Sequence, residues 1–252
     1  MIRDSLEKHA GDERFIPGIY NYCDRWCERC PQTSRCLNFS VVEKEFADPE
    51  TQDIRNEAFW RKFSEILGGT LQLLKDEATK RGIDLDEALS DDDVKDMKAK
   101  DEAAENHLVC RAAKRYSDMA EDWFKEKETL FIETAAAARE GVDIEEAFKV
   151  IRWYQDFISA KLMRAVRGKI EEEEEEGDEF PSDADGSAKI ALIAMDRSIG
   201  AWAVIHRYDT GEDGRVFDVI AFLNRLRQAV EKTFPNARSF IRPGFDRIDL
   251  NS

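Results

Sequence analysis

The chain has 252 residues, of which 42% are hydrophobic and 37% are charged, and its formal net charge is −16. This length suits one large domain or two small ones with a real core, and the apolar content argues against global disorder. The negative charge disfavours nucleic acid and anionic membrane surfaces, because both would be repelled.

No uncharged apolar run approaches the roughly 18 residues that indicate a membrane span. The nearest one, residues 190–205, is interrupted by Asp196 and Arg197. The N-terminal residues also lack the apolar segment of a secretory signal, so a cytoplasmic location is expected. In that reducing compartment, clustered cysteines are more often metal ligands than disulfide partners.

The first predicted region is a cysteine-rich arm covering residues 1–47. Four of its cysteines lie within fourteen residues, at the spacing C-x3-C-x2-C-x5-C: Cys23, Cys27, Cys30 and Cys36. Four thiolates this close together can saturate one metal centre without ligands from elsewhere. These four residues are therefore the predicted metal ligands, and the arm is predicted to be a metal-binding loop.

Two metal centres compete for this loop. A [4Fe–4S] cluster is preferred, because ferredoxin-like runs also place several cysteines two or three residues apart, and Pro31 follows Cys30 as in their Cys-Pro. Zinc is the rival, although four-cysteine zinc sites usually use two pairs with a segment between them. The first two spacings equal those of radical enzymes that use S-adenosylmethionine. Those enzymes leave one iron without a protein ligand, a place that Cys36 would fill.

The rest of the arm contributes residues that suit either metal. Aromatic and apolar side chains are expected to shield the sulfurs, and arginines are expected to offset the negative charge of the site. These residues are Tyr20, Tyr22, Trp26, Leu37 and Phe39, with Arg25, Arg29 and Arg35.

Helical periodicity begins after the arm. Five helices are predicted, at about 48–82, 101–139, 143–167, from 183 to about Ile205, and 215–233. Because strand signals are nearly absent, we predict an all-α fold, an antiparallel bundle of about five helices formed by residues 48–252. The six consecutive glutamates from Glu171 to Glu176 oppose a helix, so they predict an acidic linker near residues 169–182.

Charged residues inside the apolar helices form a second candidate site. Asp196 and Arg197 interrupt the most hydrophobic helix, while Arg152 and Lys161 lie in the aromatic third helix. Because a buried charge needs a partner, Asp196 is expected to pair with a basic residue of the third helix or with Arg197. The alternative interpretation is a polar pocket around Asp196 that binds a small ligand.

Other chemistry finds little support. The chain contains no Glu-x-x-His, which a di-metal helical bundle requires. His107 and His206 are interpreted as ordinary helix-face residues, and Cys110 as a buried, inert thiol. There are no phosphate-binding or nucleophile-elbow motifs, and the sequence assigns no nucleophile and no acid–base pair.

The leading functional hypothesis is a cytoplasmic iron–sulfur protein that acts in electron transfer, redox sensing or cluster-stabilised structure. The first alternative is a noncatalytic bundle that is stapled by a four-cysteine zinc site and binds a protein partner. The second is the small-ligand-binding bundle around Asp196. Neither a nucleic acid nor a membrane is expected as a partner.

Overall fold

The computed structural model describes residues 12–84, 90–137, 141–174, 183–208 and 214–246. Within these ranges the regular secondary structure is entirely helical, which confirms the predicted all-α class. The chain divides into two compact units, Met1–Met97 with Arg242–Ser252, and Lys98–Ile241. The predicted boundary at residue 47 does not coincide with this division.

The first unit contains short 3₁₀ turns followed by helices. The turns are Ile19–Tyr22, Cys27–Arg29 and Thr33–Arg35. The helices are α1 (Leu37–Glu45), α2 (Pro49–Gln52) and α3 (Glu57–Lys80). The next helix, α4 (Asp91–Asn106), contains the boundary between the two units at Met97. The single helix predicted for residues 48–82 is therefore wrong in its first part. The helix restarts at Asn56, whose side-chain oxygen accepts a hydrogen bond of 3.0 Å from the backbone N–H of Ala58.

The predicted helix at 101–139 is also two helices. α4 ends at Asn106, and α5 (Leu108–Ala137) begins two residues later. His107 lies at the junction, where its Nδ1 accepts a hydrogen bond of 3.3 Å from the backbone N–H of Val109. The imidazole thus caps the start of α5, so its interpretation as a helix-face residue was wrong.

The third helix is longer than predicted. α6 covers Gly141–Glu174, so the first four glutamates of the acidic run are helical rather than part of a linker. Basic residues one turn earlier offset their charge: Arg167 lies 3.0 Å from Glu171, and Lys169 lies 3.5 Å from Glu173. The remainder of the predicted linker, residues 175–182, lies outside the described residues.

The last two helices begin at the predicted residues, and the first of them continues three residues beyond the predicted end. They are α7 (Asp183–Tyr208) and α8 (Arg215–Thr233). In the second unit α6 packs on α5 and α7, and α8 packs on α7 and α5. α7 is the most buried of these helices, as its apolar sequence predicted, and the indole N–H of Trp202 donates to the hydroxyl of Tyr116 at 3.1 Å in the core. Among the described helices, none is long and apolar enough to cross a membrane.

Candidate metal site

Short turns position the four cysteines of the arm. Cys23 follows the first 3₁₀ turn, Cys27 begins the second, Cys30 follows it, and Cys36 follows the third and caps α1. Arg25 lies between the first two cysteines with φ +58°, the left-handed region that non-glycine residues rarely adopt. Residues held in this region often occur at functional sites, where the surrounding structure maintains the strained backbone.

All four thiols line one pocket. The pocket has a volume of about 310 Å³, part of which is open to solvent. Its other walls are largely apolar, and they include Ile19, Tyr20, Trp26, Phe39 and Phe245. Three of the predicted shielding residues are among these walls, and Arg25 also lines the pocket, whereas Tyr22 and Leu37 are not part of its lining.

The pKa of Cys27 is affected by the other three cysteines. Burial raises the pKa of the Cys27 thiol, and the charges of Cys23, Cys30 and Cys36 raise it further. The neighbouring sulfurs therefore disfavour ionisation of Cys27. A bound cation would reverse this effect, and its binding would release protons.

Two hydrogen bonds engage the sulfurs directly. The backbone N–H of Gln32 donates to Sγ of Cys30 at 3.4 Å, and Sγ of Cys23 donates to the carbonyl oxygen of Tyr20 at 3.5 Å. Backbone N–H groups that point at sulfur are one of the means by which proteins tune thiolate-bound metals. The loop therefore already directs backbone polar groups at two of the four sulfurs.

All five cysteines lie in the described part of the chain, and none is joined to another by a disulfide. The disulfide interpretation of the arm is therefore not the state that the structure shows. Within the described ranges, no three or more histidine, cysteine, aspartate or glutamate side chains are drawn together closely enough to hold a metal ion. The four thiols share a pocket, and a bound centre would have to draw them inward.

The contribution of the C-terminal segment to the site was not predicted from the sequence. Phe245 lines the cysteine pocket, and the carbonyl oxygen of Gly244 accepts a hydrogen bond of 2.8 Å from the side chain of Gln32. The sequence offers only Pro243-Gly244 in this segment, a pair that is typical of turns but does not indicate a contact with the cysteine loop. A contact between residues more than two hundred positions apart leaves no local signal in one sequence.

The predicted buried charge network differs from the observed one. Of its four members only Lys161 is buried, whereas Arg152 and Arg197 are exposed and Asp196 is half-buried. The guanidinium of Arg152 lies 4.0 Å from the ring centroid of Phe124, and that of Arg197 donates to the hydroxyl of Tyr154 at 2.5 Å.

The partners of Asp196 are arginines that the prediction did not include. Arg227 of α8 donates to one carboxylate oxygen at 3.0 Å, and Arg238 donates to the other at 2.6 Å. Partial burial by itself would raise the pKa of Asp196, but the hydrogen bonds and charges of Arg238 and Arg227 outweigh it and lower the pKa. Asp196 is therefore an ionised member of a surface network.

Cys110 lies in α5 and is only 3% exposed. This confirms the expected burial, and because burial also raises the pKa of its thiol to about 12, we expect Cys110 to be unreactive.

Comparison of the chain with protein-family models, with curated proteins and with solved structures finds no match. The site therefore has to be interpreted from its own residues and geometry.

Proposed function

We propose that the arm binds a metal centre through Cys23, Cys27, Cys30 and Cys36, and that this centre is a [4Fe–4S] cluster. The observation that carries the proposal is the single pocket lined by all four thiols. Four thiolates complete the ligand set of such a cluster. No residue from outside the arm is then needed as a ligand.

The chemistry of the pocket suits an iron–sulfur cluster, because its four thiolates would complete the ligand set and its other walls are largely apolar. The apolar walls cover part of the surface around the sulfurs, and the N–H of Gln32 donates to Sγ of Cys30. Both features tune the reduction potential of clusters.

The exposure of the cysteines bears on the role of the centre. Cys27 is exposed, whereas the other three thiols are half-buried. A centre held there would have one side near the surface, where an electron donor or acceptor can approach. We therefore propose electron transfer or redox sensing in the cytoplasm as its role, with the helices of residues 98–241 as an antiparallel bundle that folds without the metal.

Anaerobic purification followed by measurement of iron, zinc and sulfide tests the proposal. A brown protein that contains both iron and acid-labile sulfide supports the cluster, and Cys30→Ser should lose the colour and the iron. Cys110→Ala is the matched control, because it removes a cysteine that lies outside the pocket. Its iron and sulfide content should equal that of the unmodified protein.

Two other results would contradict the proposal of an iron–sulfur cluster. A colourless protein with one zinc per chain would support the zinc-stapled interaction module instead. The exposed apolar face of α3 favours that second candidate, since such faces are typical of protein-binding surfaces. A protein with neither metal would remove both candidates. The ligand pocket around Asp196 receives less support, because two arginines already engage both of its carboxylate oxygens.

A further inference from the structure

One face of α3 carries a continuous row of exposed large apolar side chains. Each of them is between 43% and 58% exposed, although the helix is 24 residues long and well formed. The row consists of Trp60, Phe63, Leu67, Leu71 and Leu74. We refer to these five residues as the α3 stripe. Monomeric proteins rarely expose contiguous apolar surface of this kind without using it for binding.

The spacing of the α3 stripe is symmetric about its central residue. Trp60 and Leu74 lie seven residues before and after Leu67, and Phe63 and Leu71 lie four residues before and after it. At about 100° per residue the five side chains fall within roughly 80° of the helix circumference. This exposed strip is as narrow as the seam by which a helix pairs with another helix. The half-buried Phe59, Ile66 and Leu73 lie along one edge of it and widen the apolar face.

We propose that the α3 stripe is a dimer interface, in which α3 packs antiparallel against α3 of a second copy of this chain about a two-fold axis at Leu67. In this arrangement Leu67 faces its own counterpart. Phe63 faces Leu71 of the second copy, and Trp60 faces Leu74. The contact between the two Leu67 side chains lies on the axis and occurs once, and each of the other two contacts occurs twice, as a self-complementary two-fold interface requires.

The charges beside the stripe match this arrangement. Glu57 and Lys75 are 18 residues apart, which is five full turns, so they lie on the same edge of the stripe. Both are exposed. Antiparallel pairing places Glu57 nearly level with Lys75 of the second copy, which creates two opposite-charge pairs. Parallel pairing would instead place Glu57 level with Glu57 and Trp60 level with Trp60.

The size of the stripe is sufficient for a specific dimer. Two half-exposed aromatic residues and three half-exposed leucines present roughly 400 Å² of apolar surface per copy. Two copies, together with the aliphatic stems of flanking residues, reach about 1,000 Å², the lower bound for a specific interface. Gly68 borders the stripe with open space where a Cβ would lie, so it does not obstruct the second helix.

Mass measurement of the full chain by light scattering and sedimentation tests the dimer, and it does not depend on the metal. We expect twice the chain mass of 29.0 kDa. Leu67→Glu places two like charges together on the two-fold axis, so it should raise the dimer dissociation constant about 100-fold or more. Leu108→Glu is the matched control, since Leu108 is 73% exposed and lies outside α3, and it should leave the mass unchanged.

A charge exchange tests the pairing direction without touching the apolar residues. Glu57→Lys and Lys75→Glu should each weaken the dimer, and the protein with both changes should recover it. A chain that is monomeric at every concentration would overturn the proposal. The proposal would also be overturned if Leu67→Glu left the dimer intact and circular dichroism showed an unchanged helix content. It would be overturned as well if the double variant dimerised more weakly than either single variant. Isolation of the chain in a fixed complex with a different protein on this face would overturn it as well.

Discussion

Gln32 and Gly244 are joined by a hydrogen bond of 2.8 Å, in which the side-chain amide of Gln32 donates to the backbone carbonyl. The bond ties the cysteine loop to a segment 212 residues later in the chain. Gly244 has φ +78°, and a Cβ there would lie 2.5 Å from Cδ1 of Ile16 and 3.0 Å from Cδ1 of Ile19. The next residue, Phe245, is a wall of the cysteine pocket. Gly244 therefore allows the C-terminal segment to close one side of the site.

Gly244→Ala should destabilise the arm and lower its metal content, although the substitution adds only one methyl group. The left-handed backbone costs about 1–2 kcal/mol for a residue with a Cβ, and the contact with the two isoleucines adds about 1–3 kcal/mol. The measurement is metal content and proteolysis of the arm. Gly82→Ala is the matched control, because Gly82 has φ +71° and open space around it, so it isolates the backbone cost. Equal effects of the two substitutions would contradict the proposed contact.

Loss of the metal should loosen the arm and leave the second unit folded. The described part of the arm has few large buried apolar residues apart from Ile19, so bound metal is expected to hold its structure. Cys30→Ser should make residues 18–40 sensitive to protease. The helices of Lys98–Ile241 bury their own core and should keep their helicity. A collapse of total helicity together with metal loss, measured by circular dichroism, would refute this independence.

Local sequence signals predicted the elements that local interactions determine. α8 begins after Gly214 and ends before Pro235, within the bounds expected from those two residues. The all-α class followed from periodicity in the same way. The breaks at Asn56 and His107 were missed because each depends on one side chain capping the next helix, and the periodic apolar pattern continues across both.

Periodicity also does not identify what covers an apolar face. Phe63, Leu67 and Leu74 follow helical periodicity, yet all three are exposed. α7 has the most hydrophobic sequence, yet one side of it is exposed to solvent. Its solvent-facing strip includes Arg197, Gly200 and Ala203. Because two of these are small residues, the strip looks apolar in the sequence, and Asp196 at its edge was predicted to be buried.

The spacing predicted that the four cysteines lie close together, and they line one pocket with three of the expected shielding residues, whereas their role as metal ligands stays a prediction. The short spacing already required the four thiols to be near one another. The pocket wall from Phe245 and the bond from Gln32 to the C-terminal segment arise from tertiary contacts that one sequence does not encode locally. The partners of Asp196 belong to the same class, since Arg227 and Arg238 lie far along the chain.

The five cysteines should react very differently with an alkylating reagent. Cys110 is buried, and its pKa of about 12 leaves about a thousandfold less thiolate than an ordinary thiol with a pKa of 9.0 at the same pH. After the metal has been removed, peptide mass spectrometry should find the four arm cysteines modified and Cys110 unmodified. Addition of denaturant should expose Cys110. Modification of Cys110 in the folded protein, at the rate of the arm cysteines, would contradict its burial.

The Asp196 network makes the stability of the second unit depend on pH. Because its folded-state pKa is lowered, the stabilising contribution of Asp196 is complete above the ordinary carboxyl pKa. It is lost as the pH falls through the lowered value. The carboxylate is 38% exposed, so the contribution should lie between those of exposed and buried ion pairs, at about 1–2 kcal/mol.

Asp196→Asn should therefore lower the free energy of unfolding at neutral pH by about that amount, and the difference from the unmodified protein should shrink in acid. Denaturant titrations at several pH values measure it. Asp122→Asn is the control, because Asp122 is an exposed aspartate on α5, and its change should be small at every pH. If the difference in unfolding free energy between Asp196→Asn and the unmodified protein stayed constant down to strongly acidic pH, the lost stability would come from packing and not from the charge. No loss at neutral pH would show that the two arginines do not stabilise the fold through Asp196.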